Sequence, residues 1–154
     1  MANEMDKLFT DGETTNTQLK EAAEKLNLPL CLIAFKDQLQ LYNPVPGGYI
    51  INMEDSSAGH GSHWVALYLA IERKKPISFY FDSFGGPPPM EVRNFATRYG
   101  APYLYYQNKQ IQKLNSNYCG QFCLSLINAL SKNKGPYHKR YLKFLHKFNF
   151  IRTI

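Results

Sequence analysis

Two neighbouring apolar runs, GSHWVALYLAI at residues 61–71 and ISFYFDSFGG at residues 77–86, determine the predicted architecture of this 154-residue chain. Both are rich in β-branched and aromatic residues and bounded by glycine or polar residues, which is typical of strands. The charged turn at residues 72–76 predicts an antiparallel hairpin of Trp64–Ile71 with Ile77–Phe81. Because each run is apolar at consecutive positions, we expect both faces of these strands to be buried at the centre of a sheet.

Helices and further strands are predicted on both sides of the hairpin. Apolar residues at helical spacing indicate a helix over about 17–26, with Thr15 and Gln18 forming a capping box at its start. Periodicity and turn residues predict strands at 30–35, 49–53 and 103–106, and helices at 90–99, 119–131 and 137–148. The prediction is a single α+β domain over residues 1–154, with a central, mostly antiparallel sheet of about five strands flanked by helices.

Composition limits the class of protein. A 17.7 kDa chain with 44% hydrophobic and 19% charged residues is typical of one globular domain, and not of a disordered tail or a membrane protein. Residues 1–15 are polar, which predicts a loose N-terminal segment and no secretory signal. Three cysteines are an odd number, so we expect free thiols and a reducing intracellular compartment.

The positive charge is concentrated at the C-terminal end. Residues 132–154 contain seven Lys or Arg and no acid, whereas residues 1–131 contain eleven bases and twelve acids. We predict a basic C-terminal helix within this segment. Two interpretations have similar weight: a solvated surface, and a surface that binds a nucleic-acid backbone. The candidate nucleic-acid contacts are Lys139, Arg140, Lys143 and Lys147.

Cys119 combines several features of a catalytic cysteine. It begins a predicted helix, where free N–H groups and the helix dipole favour a negative charge. Gly120 follows it and has no side chain to obstruct a substrate. His63 precedes the first strand of the hairpin and Asp82 follows the second, so adjacent strands are expected to bring a base and an orienting carboxylate together.

The order of these motifs resembles one family of cysteine proteases. The segments GSHWVAL (61–67), YFDSFG (80–85) and NYCGQFC (117–123), with Gln112 seven residues before Cys119, are similar to adenain, the adenovirus maturation protease, and to the SUMO-specific proteases of the same clan. The order His, Asp, Gln, Cys differs from the Gln, Cys, His, Asn order of papain-like enzymes. The resemblance, which covers residues 49–130, therefore implies the adenain-like, permuted papain-like fold.

The resemblance also implies catalytic roles. Cys119 would be the nucleophile, His63 its general base and later the general acid, and Asp82 the residue that orients His63. The side-chain amide of Gln112 would donate to the oxyanion, together with the backbone N–H of Cys119. Gln107 and Gln110 compete with Gln112 for this role, and the spacing favours Gln112.

Trp64 and Gly120 are the candidate substrate-binding residues. Trp64 is expected to pack against His63 and line the groove. Proteases of this family accept glycine beside the cut, which implies Gly-Gly sites. We expect an endopeptidase that cleaves viral capsid precursors during virion maturation, located in the host cell interior, at the virus factory, and in the virion.

The expected enzyme is a monomer that requires no cofactor, with activation by DNA as an open question and no membrane association. Adenain uses a disulfide-linked peptide cofactor. We do not predict one here, because Cys31 and Cys123 are expected to be buried. A deconjugase of ubiquitin-like modifiers and a non-catalytic DNA-binding structural protein are the two alternative functions.

Two further interpretations of the same residues are less favoured. Zinc bound by His60, His63, Cys119 and Cys123 would have a tetrahedral ligand set, but the spacing matches no zinc-finger pattern, and we predict no metal site. The Gly-Gly pairs at 47–48 and 85–86 resemble cleavage sites, but glycines beside proline are usually turn residues.

Overall fold

The computed structural model describes residues 15–54, 63–111 and 118–148. Its elements, in chain order, are helix α1 (Asn16–Lys25), strand β1 (Leu30–Phe35), a 3₁₀ helix (Lys36–Leu41), β2 (Gly47–Asn52), β3 (Trp64–Glu72), β4 (Lys75–Phe81), α2 (Met90–Tyr99), β5 (Leu104–Tyr105), α3 (Cys119–Lys132) and α4 (Tyr137–Leu145). The predicted elements are all present, and the 3₁₀ helix is an addition. None of the described helices is long and apolar enough to cross a membrane.

The five strands form one mixed sheet in the order β1-β2-β3-β4-β5. The central pairs, β2 with β3 and β3 with β4, are antiparallel, whereas the edge pairs, β1 with β2 and β4 with β5, are parallel. The predicted α+β domain and the antiparallel centre are confirmed. The edges are parallel because the 3₁₀ helix and α2 carry the chain back across the sheet before each edge pair forms.

Helices cover both faces of the sheet. Alternate residues of β3 point to opposite faces, so Trp64 and Ala66 pack with α1, α3 and α4, whereas Val65 and Leu67 pack with α2 and the 3₁₀ helix. This layering explains why the hairpin is apolar at consecutive positions. The predicted burial of both faces is confirmed.

The hairpin turn is tighter than the sequence indicated. Arg73 and Lys74 alone connect β3 to β4, and both have positive φ, 52° and 68°. Two residues with positive φ are typical of a type I′ turn, whose twist matches that of antiparallel strands. The strands therefore extend to Glu72 and Lys75, and Pro76 pairs with Ile71 inside the ladder.

Helix α3 lies very close to the sheet at Gly48. A Cβ at this position would lie 2.7, 2.8 and 3.0 Å from three atoms of the Ile127 side chain. Gly48 belongs to β2, and its neighbour Gly47 opens the same strand, so the predicted turn at this glycine pair is wrong. Glycine is needed here for close packing of α3 on β2, which fixes the height of the helix above the sheet.

We expect Gly48→Ala to lower the free energy of unfolding by about 1–3 kcal/mol, because the added methyl group overpacks the contact with Ile127. Ile127→Val removes the nearest atom, Cδ1. In that background Gly48→Ala should cost less. Urea unfolding of the four proteins of this double-mutant cycle measures the coupling, and an equal cost in both backgrounds would contradict the close contact.

Candidate active site

The hairpin brings His63 and Asp82 to the same end of the sheet. His63 directly precedes β3, and Asp82 directly follows β4, which is antiparallel to it. His63 Nε2 lies 2.7 Å from Asp82 Oδ1. The backbone carbonyl of His63 accepts a hydrogen bond from Met53 N at 2.9 Å, which ties this end of β3 to β2. The predicted base and its orienting carboxylate are therefore in contact.

The turn that follows Asp82 holds its carboxylate in place. Phe84 N donates to Oδ1 at 2.8 Å and Gly86 N donates to Oδ2 at 3.2 Å. Gly85 has a φ of +84°, and a Cβ on Gly86 would lie 2.7 Å from Asp82 Oδ2. The glycine pair at 85–86 thus allows the backbone to wrap around the carboxylate, a structural role that the sequence did not reveal.

Cys119 lies beside His63. It is the first residue of α3, and Trp64 N donates to its Sγ at 3.5 Å. His63 Nδ1 is buried and makes no well-directed hydrogen bond to the described residues, but the ring interacts closely enough with the Cys119 thiol to affect the His63 pKa. The order carboxylate, imidazole, thiol is the arrangement that an activated cysteine requires.

The charge on His63 is stabilised by its two neighbours. Burial lowers the pKa of His63, but the hydrogen bond to Asp82, the charge of that carboxylate and the nearby Cys119 thiol outweigh burial and raise this pKa to about 9. The ring therefore carries a proton at neutral pH. An imidazolium beside sulfur stabilises negative charge there, and the N–H of Trp64 points to the same atom.

Phe84 forms one wall of the site. Its ring stacks on the His63 imidazole with a centroid distance of 4.4 Å and an interplanar angle of 19°. Trp64, which the sequence places against His63, belongs to the same core cluster as Cys119, with 7% of its surface exposed. The backbone N–H of Trp64 contacts the sulfur of Cys119. The role of Trp64 as a residue that lines the substrate groove stays a prediction. The FDSFG motif contains Phe84, but only the turn geometry places it on the imidazole.

Helix α3 presents its N-terminus at the site, and no side chain among the described residues caps it. The residue before it, Tyr118, makes no capping hydrogen bond. Free N–H groups at a helix start are suited to bind an anion. Gly120 is buried in the first turn of the helix, and its predicted contact with substrate remains untested.

Gln107, which the sequence offered as an alternative oxyanion donor, binds the backbone near Asp82. Its Nε2 donates to the backbone carbonyl of Asp82 at 2.9 Å, and its Oε1 accepts from Lys109 N at 2.6 Å. An amide bound on both sides is poorly placed to meet an oxyanion. Gln112, the favoured oxyanion donor, lies outside the described residues, which end here at Ile111.

The other cysteines differ from each other. Cys123 is buried on α3, as predicted, and burial raises the pKa of its thiol well above the ordinary value. Cys31 is exposed at the edge strand β1, and its predicted burial is wrong, because β1 has a neighbour on one side only. No group of three metal-binding side chains occurs in residues 15–54, 63–111 and 118–148, and His60 lies outside these ranges.

The basic helix divides into structural and exposed residues. Arg140 donates to the carbonyls of Gly135 at 2.8 Å and Leu130 at 2.6 Å, and its guanidinium lies over the Tyr137 ring. It therefore joins the end of α3 to α4, a structural contact that the sequence did not show. The exposed predicted nucleic-acid contacts are Lys139, Lys143 and Lys147.

Solved structures with this fold include two crystal structures of the protease of African swine fever virus. They align with TM-scores of 0.59 and 0.61 at 18% identity, over 86% of this chain and over 63% and 62% of that protease. This chain has the fold of that viral protease. The fold expected from the resemblance is confirmed, and the chain spans less than two thirds of the viral protein.

HopZ1a aligns less well, with a TM-score of 0.48 at 14% identity over 94% of this chain and 48% of HopZ1a. No family model and no curated protein sequence matches the chain.

Asp82→Asn should lower the pKa of His63 from about 9 toward 6.5, its ordinary value. A histidine whose folded pKa is raised stabilises the fold fully below pH 6.5 and loses this contribution as the pH rises through about 9. The variant should therefore lose less stability than the wild type between these two pH values. NMR titration of the His63 ring and urea unfolding measure the two effects.

Glu91→Gln, which removes the ion pair with Lys36 on the opposite face, is the control. An unchanged His63 pKa in Asp82→Asn would contradict the ion pair.

Gly86→Ala should have the same effect on His63 in weaker form, because the new methyl group displaces the Asp82 carboxylate. Gly135→Ala is the control for general destabilisation: its φ of +95° makes alanine strained there, but the new Cβ meets no atom within 4 Å and does not touch Asp82. The measurement is again the titration of the His63 ring. A fall in the His63 pKa in both variants would show that the effect is not local to Asp82.

Proposed function

We propose that the protein is a cysteine endopeptidase with Cys119 as the nucleophile. The observation that carries the proposal is the contact of His63 with Asp82 at 2.7 Å, with the Cys119 thiol beside His63 and within 3.5 Å of the Trp64 N–H. The viral protease with the same fold supports this activity. The site also contains each group that thiol-dependent acyl transfer needs among the described residues, apart from a second oxyanion donor.

In the acylation step, His63 holds the proton of the Cys119 thiol, and the resulting thiolate forms a bond from Sγ to the carbonyl carbon of the scissile peptide. The carbonyl oxygen becomes an oxyanion, which the N–H of Cys119 at the start of α3 stabilises. His63 then donates its proton to the leaving nitrogen, the C–N bond breaks and the amine departs. A His63 pKa of about 9 suits this role, since the ring holds the required proton at neutral pH.

In the deacylation step, water hydrolyses the thioester. His63, now neutral, takes a proton from the water as its oxygen attacks the thioester carbonyl. The carboxylic acid is released and the thiolate and imidazolium are restored. Asp82 keeps Nε2 engaged throughout, which leaves Nδ1 as the ring nitrogen that exchanges protons. We propose Gln112 as the second oxyanion donor, on its position directly after Ile111 in the chain.

The proposed substrates are viral capsid precursors cut at Gly-Gly sites during virion maturation, in the host cell and in the virion. Burial supports a substrate with small residues at the cut, because only 17% of the His63 side chain is exposed and 6% of Cys119. A glycine main chain fits such a site more easily than a branched residue. The viral protease of the same fold favours a viral substrate over a ubiquitin-like one, which remains the alternative.

We propose that the enzyme needs no cofactor and works as a monomer, and that DNA binding is an accessory property. Lys139, Lys143 and Lys147 recur every four residues, so they share one side of α4 and the turn after it. Lysines spaced in this way fit a phosphate backbone, and binding should weaken steeply with salt. Equal affinity for DNA at low and at physiological salt would contradict this accessory role.

Cys119→Ala should reduce peptide cleavage at Gly-Gly by at least about 1000-fold, because it removes the nucleophile. The assay compares peptides with and without Gly-Gly, each with and without added DNA. Cys31→Ala is the matched control, since Cys31 is an exposed thiol away from His63. It should cleave as the wild type does.

Two outcomes would count against the proposal. Equal cleavage by wild type and Cys119→Ala would show that Cys119 is not the nucleophile. Cleavage of an intact ubiquitin-like precursor, without cleavage of peptides, would favour the deconjugase instead. A thiol at Cys119 that resists alkylation at neutral pH would favour the non-catalytic DNA-binding protein.

A further inference from the structure

The segment 107–111 is attached to the turn after Asp82 at both of its ends. At one end, Gln107 Nε2 donates to the Asp82 carbonyl at 2.9 Å. At the other end, Ile111 N donates to the Ser83 carbonyl at 2.8 Å. Between them, Gly85 packs so closely on Lys109 that a Cβ would lie 2.8 Å from its carbonyl carbon. The segment and the turn therefore form one unit.

The side chain of Gln107 replaces a missing part of the sheet. Strand β5 ends at Tyr105, after only two residues, and its backbone pairs with β4 only as far as Phe79. Asp82 lies three residues beyond that point, where no ladder hydrogen bond from β5 reaches it. The Gln107 amide supplies a bond from the β5 side there, in addition to the one that Gly85 N donates to the same carbonyl at 2.8 Å. The amide is buried, with 9% of the residue exposed. A buried amide bond is difficult for water to replace.

Helix α4 supports the same point. Tyr141 Oη donates to the Tyr80 carbonyl at 2.6 Å. Burial raises the pKa of Tyr141, and the backbone of Gln107 opposes this rise, so the hydroxyl also lies beside the start of the segment. One hydroxyl group thus joins α4, the end of β4 and the start of the segment. Tyr141 is 5% exposed, so this junction is also shielded from water.

We infer that Gln107 is a positioning residue for the catalytic carboxylate: its side-chain amide helps to hold the Asp82 backbone, next to the Tyr141 contact at the end of β4, so that the carboxylate meets His63. This inference rests on the proposed function, because it gives Asp82 its catalytic role. It also assigns to Gln107 a task that is not oxyanion binding.

Gln107→Met removes both hydrogen bonds of the amide and keeps a side chain of similar length. Asp82 should then lose part of its alignment with His63. We expect kcat to fall about 10- to 100-fold with KM nearly unchanged, because misalignment of a catalytic group by even about 1 Å costs this much. The pKa of the His63 ring should fall as well. Tyr141→Phe should change both quantities in the same direction by a smaller amount.

Each variant has a matched control on the opposite side of the sheet. Gln38 is a glutamine whose Oε1 accepts from Phe35 N at 3.0 Å, so Gln38→Met removes a comparable bond far from the site. Tyr49 Oη donates to the Val45 carbonyl at 2.6 Å, as Tyr141 Oη does to the Tyr80 carbonyl, and accepts from Val45 N at 2.8 Å. Tyr49→Phe and Gln38→Met should lower stability without changing kcat or the His63 pKa.

The readouts are steady-state kinetics on a Gly-Gly peptide, NMR titration of the His63 ring and urea unfolding. Normal kcat and His63 pKa in folded Gln107→Met would overturn the inference, as would equal changes in Gln38→Met. If Gln107→Met does not fold, Tyr141→Phe compared with Tyr49→Phe decides by the same criteria. If the wild type cleaves nothing but the His63 pKa falls in Gln107→Met, the peptidase proposal fails while the positioning of Asp82 by Gln107 is supported.

Discussion

The antiparallel pairing of β3 with β4 is the constraint on which the site depends. Because the strands run in opposite directions and are joined by only two residues, the residue before one and the residue after the other lie at the same end of the sheet. His63 and Asp82 occupy these two positions. Sheet hydrogen bonds and burial on both faces make this register resistant to slipping, since a shift of one residue would turn every apolar side chain to the wrong face.

Cys119 depends on a second constraint, the packing of α3. The helix lies across β2 and β3, and glycine at position 48 allows its close approach to the sheet. Nearly every turn of α3 is buried, which leaves little freedom for the helix to move along its axis. The sulfur is thereby held next to the Trp64 N–H and the His63 ring. The pairing of β3 with β4 positions Asp82 beside the His63 imidazole, and the packing of α3 on the sheet positions Cys119 beside it.

Buried polar groups without hydrogen bonds at the site lower the stability of the fold. In the described part of the chain, the buried side-chain nitrogens without a hydrogen bond are Asn52 Nδ2, His63 Nδ1 and Trp64 Nε1. Asn52 and Trp64 are cross-strand partners, and His63 adjoins Trp64, so all three nitrogens belong to one end of the sheet. Each such group costs about 1–3 kcal/mol. Such costs are tolerated at functional sites when the rest of the core compensates for them, as the two apolar layers do here.

The sequence by itself determined the elements and the candidate chemistry. The alternation and length of the apolar runs predicted the central hairpin, and the chain positions of His63 and Asp82 at its ends predicted their contact. The helix start at Cys119 was equally predictable, because periodicity and turn residues are local signals that each segment carries on its own. The resemblance to adenain added the order of the motifs and a fold that the viral protease structures bear out.

Only the tertiary structure decided which side chains serve the site. Phe84 stacks on His63, the Gln107 amide holds Asp82, and the Arg140 guanidinium joins two helices instead of facing solvent. The exposure of Cys31 likewise follows from its place on an edge strand. These contacts join segments far apart in the chain, and they depend on strand register, a two-residue turn and the height of α3 above the sheet. Local sequence signals specify the elements, but the distances between elements arise only when their faces pack together.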